Sequence, residues 1–229
     1  MHRDYDVIVI GAGHAGVEAA LVCARSGLRT LLATSQVDNV AKMSCNPAIG
    51  GIAKGQVVRE VDALGGEMGR CIDRTGIQYK MLNRSKGPAV HSPRAQADRI
   101  AYQYDMKRVC EAQPGLSLRQ MLVDDFVLRD ERICGVVTSL GEEVSTRAVI
   151  VCTGTFLGGR LHYGMVDVPG GRAGDMPAQA LSETYRRLGF PVGRLKTGTC
   201  ARVHARSIDY DAVAAQPGDD APQPFSFST

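Results

Sequence analysis

Tyr5-Asp6-Val7-Ile8-Val9-Ile10-Gly11-Ala12-Gly13-His14-Ala15-Gly16 is the stretch that decides the fold. A short apolar run leads into a glycine-rich turn, and a small-residue segment follows over 17–26. The order is strand, tight turn, helix. Gly11 permits the turn out of the strand, Gly13 has no Cβ and lets backbone approach a pyrophosphate, and Gly16 lets the helix pack tightly on the strand. The helix N-terminus then offers free N–H groups and partial positive charge to phosphates. Residues 11 to 16 (Gly11, Ala12, Gly13, His14, Ala15, Gly16) are therefore read as a dinucleotide cradle; the alternative is a glycine turn that only packs.

Residues 28–33 read as the second strand, after the Ser26-Gly27 helix stop. Many dinucleotide folds place an acid at the end of this strand to bind a ribose hydroxyl. Here the strand ends Ala33-Thr34-Ser35-Gln36, and the first acid is Asp38. A hydroxyl or amide can take the carboxylate's place, but a simple NAD reading is weakened.

Bulk properties are those of an ordinary globular chain: 229 residues, 44% hydrophobic, 22% charged, net charge +3. Charge alone neither demands nor excludes nucleic acid. Seven scattered cysteines without a Cys-x-x-Cys pair give no disulfide framework or zinc site and fit a reducing cytoplasm. No apolar run reaches the roughly 18 residues of a membrane span. The chain enters a strand too early for a leader to precede it.

Residues 42–55, Lys42-Met43-Ser44-Cys45-Asn46-Pro47-Ala48-Ile49-Gly50-Gly51-Ile52-Ala53-Lys54-Gly55, have no helical or strand period and read as a loop. Cys45 there is either a reactive thiol, its pKa lowered by Lys42 and Lys54, or a small buried hydrophobe. A short helix is expected over 56–64 and a longer one over 94–112, with Ala97, Ile100, Ala101, Tyr104 and Val109 along its apolar side. Short strands follow at 116–123, 125–128, 133–139 and 144–152: a core strand, a small antiparallel meander, and a return strand ending in Thr153-Gly154. Fingerprint, meander and Thr-Gly, in that order, resemble the FAD domain of two-dinucleotide-binding flavoproteins.

The expected fold class is thus α/β: a Rossmann-like FAD-binding domain with a β-meander and the start of an inserted second domain. The first domain would cover 1–155, with the meander at about 125–147, and a glycine-rich, basic segment over 156–229 would begin a second, substrate- or NAD-side domain. A helix is expected over 177–188. Arg186, Arg187, Arg194, Lys196, Arg202 and Arg206, with His204, form a basic stretch that is either a phosphate-facing surface or a solvated face. Phe225 and Phe227, on alternate positions, look like a strand cut short, which suggests a truncated chain.

Several segments together resemble one family. They are Gly11-Ala12-Gly13-His14-Ala15-Gly16, Met43-Ser44-Cys45-Asn46-Pro47-Ala48-Ile49-Gly50-Gly51, Val61-Asp62-Ala63-Leu64-Gly65-Gly66, Ser85-Lys86-Gly87-Pro88-Ala89-Val90, Gly171-Arg172-Ala173-Gly174-Asp175 and Gly193-Arg194-Leu195-Lys196-Thr197-Gly198-Thr199. They look like the tRNA uridine 5-carboxymethylaminomethyl modification enzymes, the MnmG (GidA) family. The resemblance implies FAD as cofactor, NADH as reductant, methylenetetrahydrofolate as one-carbon donor, tRNA as substrate, the GTPase MnmE as partner in a heterotetramer, a homodimer, and a cytoplasmic location. It implies that Cys45 is one of two required cysteines. Addition at uracil C6 makes C5 nucleophilic and the C5 proton must later leave, so Cys45 would serve as acid/base group or as nucleophile, the former being favoured. Beside the fingerprint, Thr153 and Gly154, it implies cofactor contacts at Val123, through backbone, and at Ala178.

There are departures. Family chains are much longer; the second cysteine, the nicotinamide segment and the C-terminal helical domain would lie beyond Thr229. Cys200-Ala201 stands where the family usually has two prolines, and Ala178 where it often has serine. The alternatives are a catalytically incomplete FAD-binding module, or another FAD-dependent oxidoreductase such as a disulfide reductase, which would want a redox cysteine pair.

Overall fold

The computed structural model describes residues 4–229. Residues 1–3, on which the expectation about a leader also bears, lie outside the described residues. In chain order the regular elements are β1 (Val7–Ile10), α1 (His14–Arg25), β2 (Thr30–Thr34), β3 (Ala48–Gly50), α2 (Lys54–Ala63), α3 (Met68–Thr75), β4 (Gly76–Leu82), β5 (Ser92–Ala97), α4 (Arg99–Ala112), β6 (Leu116–Gln120), β7 (Val123–Arg129), β8 (Arg132–Thr138), β9 (Glu143–Ser145), β10 (Ala148–Val151), β11 (Arg160–Tyr163), β12 (Val166–Pro169) and α5 (Gln179–Arg187). They form two compact units, one of residues 1–42 with 103–193 and one of residues 43–102 with 194–229. The division expected near residue 155 does not coincide with these units. The chain leaves the first unit just before the thiol loop and returns along α4, a long excursion that local composition does not mark.

The first unit is built on a parallel sheet of order β10-β1-β2-β6. Strands flanked on both faces read as continuous apolar runs, as Val7-Ile8-Val9-Ile10 and Thr30-Leu31-Leu32-Ala33-Thr34 do, and both are buried throughout. α1 packs on β1 and β2 and turns Val17, Ala20, Leu21 and Ala24 inward. The β7-β8-β9 meander joins Ile8, Ile10, Leu31 and Ala33 in one core through Val123, Val136 and Val144, and α5 adds Leu181. Asp130 and Glu131 both take positive φ, 49° and 60°, which gives the β7–β8 hairpin a two-residue turn matching strand twist. α5 is fastened to β7 by Arg187 on both carboxylate oxygens of Asp125, at 2.5 and 2.7 Å, and by the Thr184 hydroxyl donating to the Asp124 carbonyl at 3.1 Å.

The second unit holds an antiparallel sheet of order β3-β5-β4 with α2 and α3. Part of the expected loop at 42–55 is therefore regular: β3 pairs with β5, and α2 begins at Lys54. The helix expected from residue 94 starts at Arg99, because residues 92–97 run as a strand through Pro93. Asp98 caps the helix, its Oδ1 accepting from the N–H groups of Ile100 and Ala101, each at 3.0 Å. The buried side of α4 is Tyr102, Met106 and Cys110, whereas Ile100 and Tyr104 are exposed.

The tail is not a strand. Asp73 accepts from the N–H groups of Phe225 and Ser226, at 2.7 and 2.8 Å, and Asp62 from that of Phe227 at 2.8 Å. Those carboxylates take the N–H groups that a sheet ladder would have used. Phe225 is 1% exposed, while Phe227 is exposed beneath the Arg59 guanidinium, 5.4 Å from its ring centroid.

Candidate dinucleotide cradle and thiol loop

β1 delivers the chain to Gly11, whose φ of +100° is open to glycine at no steric cost. The Gly11 N–H donates to the Ala33 carbonyl at 2.8 Å, which continues the β1–β2 pairing into the turn. A Cβ on Gly11 would stand 2.5 Å from the Cys152 carbonyl oxygen, and one on Gly16 would drive into the Gly11 carbonyl oxygen. Gly13 differs: a Cβ there would meet nothing within 4 Å, and the residue is exposed. It is the N-cap of α1, no side chain caps it, and the first turn carries no acid. Ala15 is exposed beside it, and Ala12 is buried, its carbonyl accepting from the Ala41 N–H at 2.8 Å. Burial of the His14 ring pushes its pKa below the ordinary imidazole value.

β10 brings the return strand to the same place. The Cys152 N–H donates to the Ile10 carbonyl at 2.7 Å. Thr153 and Gly154 follow at once, with Gly154 at φ +53° opening a short 3-10 turn, so the structure brings Thr153-Gly154 together with the glycine fingerprint. Burial pushes the Cys152 thiol's pKa up, as expected of a packing cysteine.

The end of β2 presents Ser35 and Gln36 as exposed polar groups. Asp38 is committed elsewhere, 2.7 Å from the Lys107 ammonium, and that hydrogen bond raises the lysine's pKa. Asn39 in the same segment donates to Asp175 at 3.1 Å, and Asp175 pairs with Arg172 at 2.6 Å. Sequence reasoning assigns the Gly171-Arg172-Ala173-Gly174-Asp175 motif no role. Its signal, an arginine and an acid three residues apart between glycines, corresponds to a stapled turn docked on the chain just after β2.

Two further expected contacts come from elements other than the glycine turn. Val123 is a core residue opening β7. Ala178 is buried ahead of α5, its N–H donating to the Phe156 carbonyl at 2.8 Å and its carbonyl accepting from the Gly158 N–H at 3.0 Å.

The thiol loop belongs to the second unit. Met43 is buried, while Ser44, Cys45 and Asn46 are exposed. The reading of Cys45 as a buried hydrophobe is thereby corrected. Its Sγ is 3.8 Å from the Asn46 side-chain oxygen. The Ala48 N–H donates to the Asn46 carbonyl at 2.8 Å, and the Ala97 N–H to the Pro47 carbonyl at 2.7 Å. The Arg202 guanidinium donates to the Cys45 carbonyl. The basic stretch is divided: Arg186 and Arg187 end α5 in the first unit, where they pair with Glu183 and Asp125, and the exposed Arg194, Lys196, Arg202 and Arg206 lie in the second. Among the described residues no group of three or more His, Cys, Asp or Glu is placed to hold a metal ion, and no helix is long and apolar enough to cross a membrane.

A parallel α/β sheet with a glycine turn feeding an uncapped helix defines a chain of the Rossmann-like dinucleotide-binding class. Residues 6–229 match the family model described as glucose inhibited division protein A, and the chain belongs to that family. It is 57% identical over 227 residues to the tRNA uridine 5-carboxymethylaminomethyl modification enzyme MnmG of Geobacter sulfurreducens, covering 99% of this chain and 36% of that protein. The MnmG of Aquifex aeolicus is 55% identical over 226 residues, with 99% and 37% covered. The structure of Aquifex aeolicus GidA superposes with a TM-score of 0.95 at 55% identity, covering 98% of this chain and 37% of that one. A GidA-related protein from Thermus thermophilus gives a TM-score of 0.60 at 26% identity, covering 82% of this chain and 69% of that one. The chain spans a little over a third of the length of the curated relatives it matches.

Proposed function

We propose that the chain is the flavin-cradling, thiol-bearing part of an FAD-dependent tRNA-modifying enzyme that acts at C5 of the wobble uridine. The observation that carries the cofactor reading is Gly13. Its Cα faces open space at an uncapped helix N-terminus with no acid in the first turn, which suits a pyrophosphate. Gly11 through Gly16 and Thr153-Gly154 would hold the dinucleotide, with Ser35 or Gln36 at the ribose in place of an acid. Val123 and Ala178 would serve the cofactor through backbone and methyl contacts.

Bound flavin supplies the redox chemistry that a folate-derived one-carbon unit and NADH require. The chain's own contribution is binding, orientation and proton handling. Cys45, exposed in a loop pinned at both ends, would take the C5 proton of the uracil once the new bond has formed and return it to solvent. A covalent Cys45 adduct at uracil C6 is the second role open to the same thiol. Methylenetetrahydrofolate as donor, MnmE as GTPase partner, a homodimer and a cytoplasmic setting complete the reading on the strength of the family.

Nucleoside mass spectrometry of tRNA from cells whose only copy of the gene encodes Cys45→Ser tests the role of the thiol. Loss of the C5-substituted wobble uridine is expected, with flavin content of the purified protein unchanged. Retained modification overturns the role of Cys45, and a parent chain that takes up no FAD overturns the cradle.

A further inference from the structure

We propose that Arg202 is the positioning residue for Cys45, an inference that rests on reading Cys45 as the reacting group. The loop at 43–47 is fastened at one end by the buried Met43 and at the other by the Asn46 and Pro47 carbonyls, which accept from Ala48 and Ala97. Between these anchors the residues 44–46 stand in solvent. An exposed irregular segment samples several backbone orientations unless something fixes a peptide plane. The Arg202 guanidinium, reaching from 157 residues along the chain, donates to the Cys45 carbonyl. That bond fixes the peptide following Cys45, and with it the direction in which the Cα–Cβ bond carries the thiol.

Arg202 is exposed in an irregular stretch that leads into a short ordered turn. Two residues on, His204 opens a short 3-10 turn, its Nδ1 accepting from the Arg206 N–H at 3.1 Å and its carbonyl from the Ser207 N–H at 2.8 Å. A guanidinium suits the task better than an ammonium, because its planar fork loses less freedom for each hydrogen bond made. An arginine contacting RNA phosphate would be expected to direct its donors to solvent; this one directs a donor to a carbonyl of its own unit.

The test compares Arg202→Ala and Arg202→Lys with Lys196→Ala, a loss of charge from the same exposed segment. In steady-state modification of tRNA, Arg202→Ala is expected to lower kcat by about tenfold or more with the tRNA KM held within about twofold, since misplacing a reacting group acts on the chemical step. Arg202→Lys, which keeps a donor, recovers part of the loss. Amide exchange of the 44–46 segment in the RNA-free protein should quicken in Arg202→Ala and stay at the parent rate in Lys196→Ala. An Arg202→Ala protein with parental kcat, or one whose loss lies wholly in KM and shrinks with the salt dependence, overturns the proposal, the latter in favour of a phosphate contact. Where turnover is too slow to read, exchange decides: unchanged exchange in the loop overturns it. Activity in Cys45→Ser would instead remove the reading of Cys45, whereas an inactive Cys45→Ser beside a fully active Arg202→Ala removes only the role of Arg202.

Discussion

The glycine turn at 11–16 and the thiol loop at 43–47 are both short irregular segments at the mouth of a strand, and they are held in opposite ways. In the turn, backbone meets backbone: Gly11 lies against the Cys152 carbonyl and Gly16 against the Gly11 carbonyl, so shape is set by atoms every residue has. In the loop, the apex is exposed and its carbonyl is held by one side chain from a distant segment. The difference teaches where each kind of site can fail. At Gly11 and Gly16, where backbone contacts are close, the cradle fails by unfolding, while a loop tied by a side chain loses its chemistry and keeps its fold.

The comparison breaks most severely at Gly16→Val. The new side chain overlaps backbone that has no rotamer to yield, and a loss of about 5 kcal/mol is expected, at the exceptional end for single substitutions. Urea unfolding should show the first unit lost, with no flavin retained. Phe225→Ala tests the second unit's own packing. The ring is buried against Gly50, where an added Cβ would stand 2.6 Å from its Cζ. Removing it is expected to cost about 3–5 kcal/mol in the same experiment. Cys45→Ser sits at the other extreme, with stability expected within about 0.5 kcal/mol of the parent and modification lost.

The smallest effect is a pH dependence. His14 has a folded-state pKa below its ordinary 6.5, so the unfolded chain binds the proton more readily. Stability should be unaffected by this group above that value and should decline as pH falls below it toward the folded-state pKa. His14→Asn should flatten that part of the melting-temperature profile. An unchanged slope would place the acid sensitivity elsewhere.

The cradle is legible in the sequence because its determinants are local. Three glycines, the apolar runs on either side and the Thr-Gly after β10 all state their geometry within a few residues, and parallel strands buried on both faces announce themselves as continuous apolar runs. The second unit is harder to read. β5 runs through Pro93, a residue that argues against a strand, so the sequence reads as helix from residue 94. α4 carries apolar residues on two sides, and periodicity favours the side holding Ile100 and Tyr104 over the buried Tyr102, Met106 and Cys110. Phe225 and Phe227 alternate as strand residues do, but the carboxylates of Asp73 and Asp62 take their N–H groups. β5 pairs with β3 dozens of residues away and the tail with Asp62 and Asp73 over a hundred away, and no local pattern announces such pairs.

Gly13→Ala tests the central claim most directly, because it separates the cradle's ligand from the cradle's fold. A methyl group there meets no protein atom, so the melting temperature should move by no more than a cap substitution of about 1 kcal/mol implies. The same methyl group occupies the space a pyrophosphate needs at the uncapped end of α1. Equilibrium titration with FAD should then show tight binding by the parent chain and a loss of about tenfold or more in affinity for Gly13→Ala at nearly unchanged stability. Equal affinity in the two proteins would contradict the account.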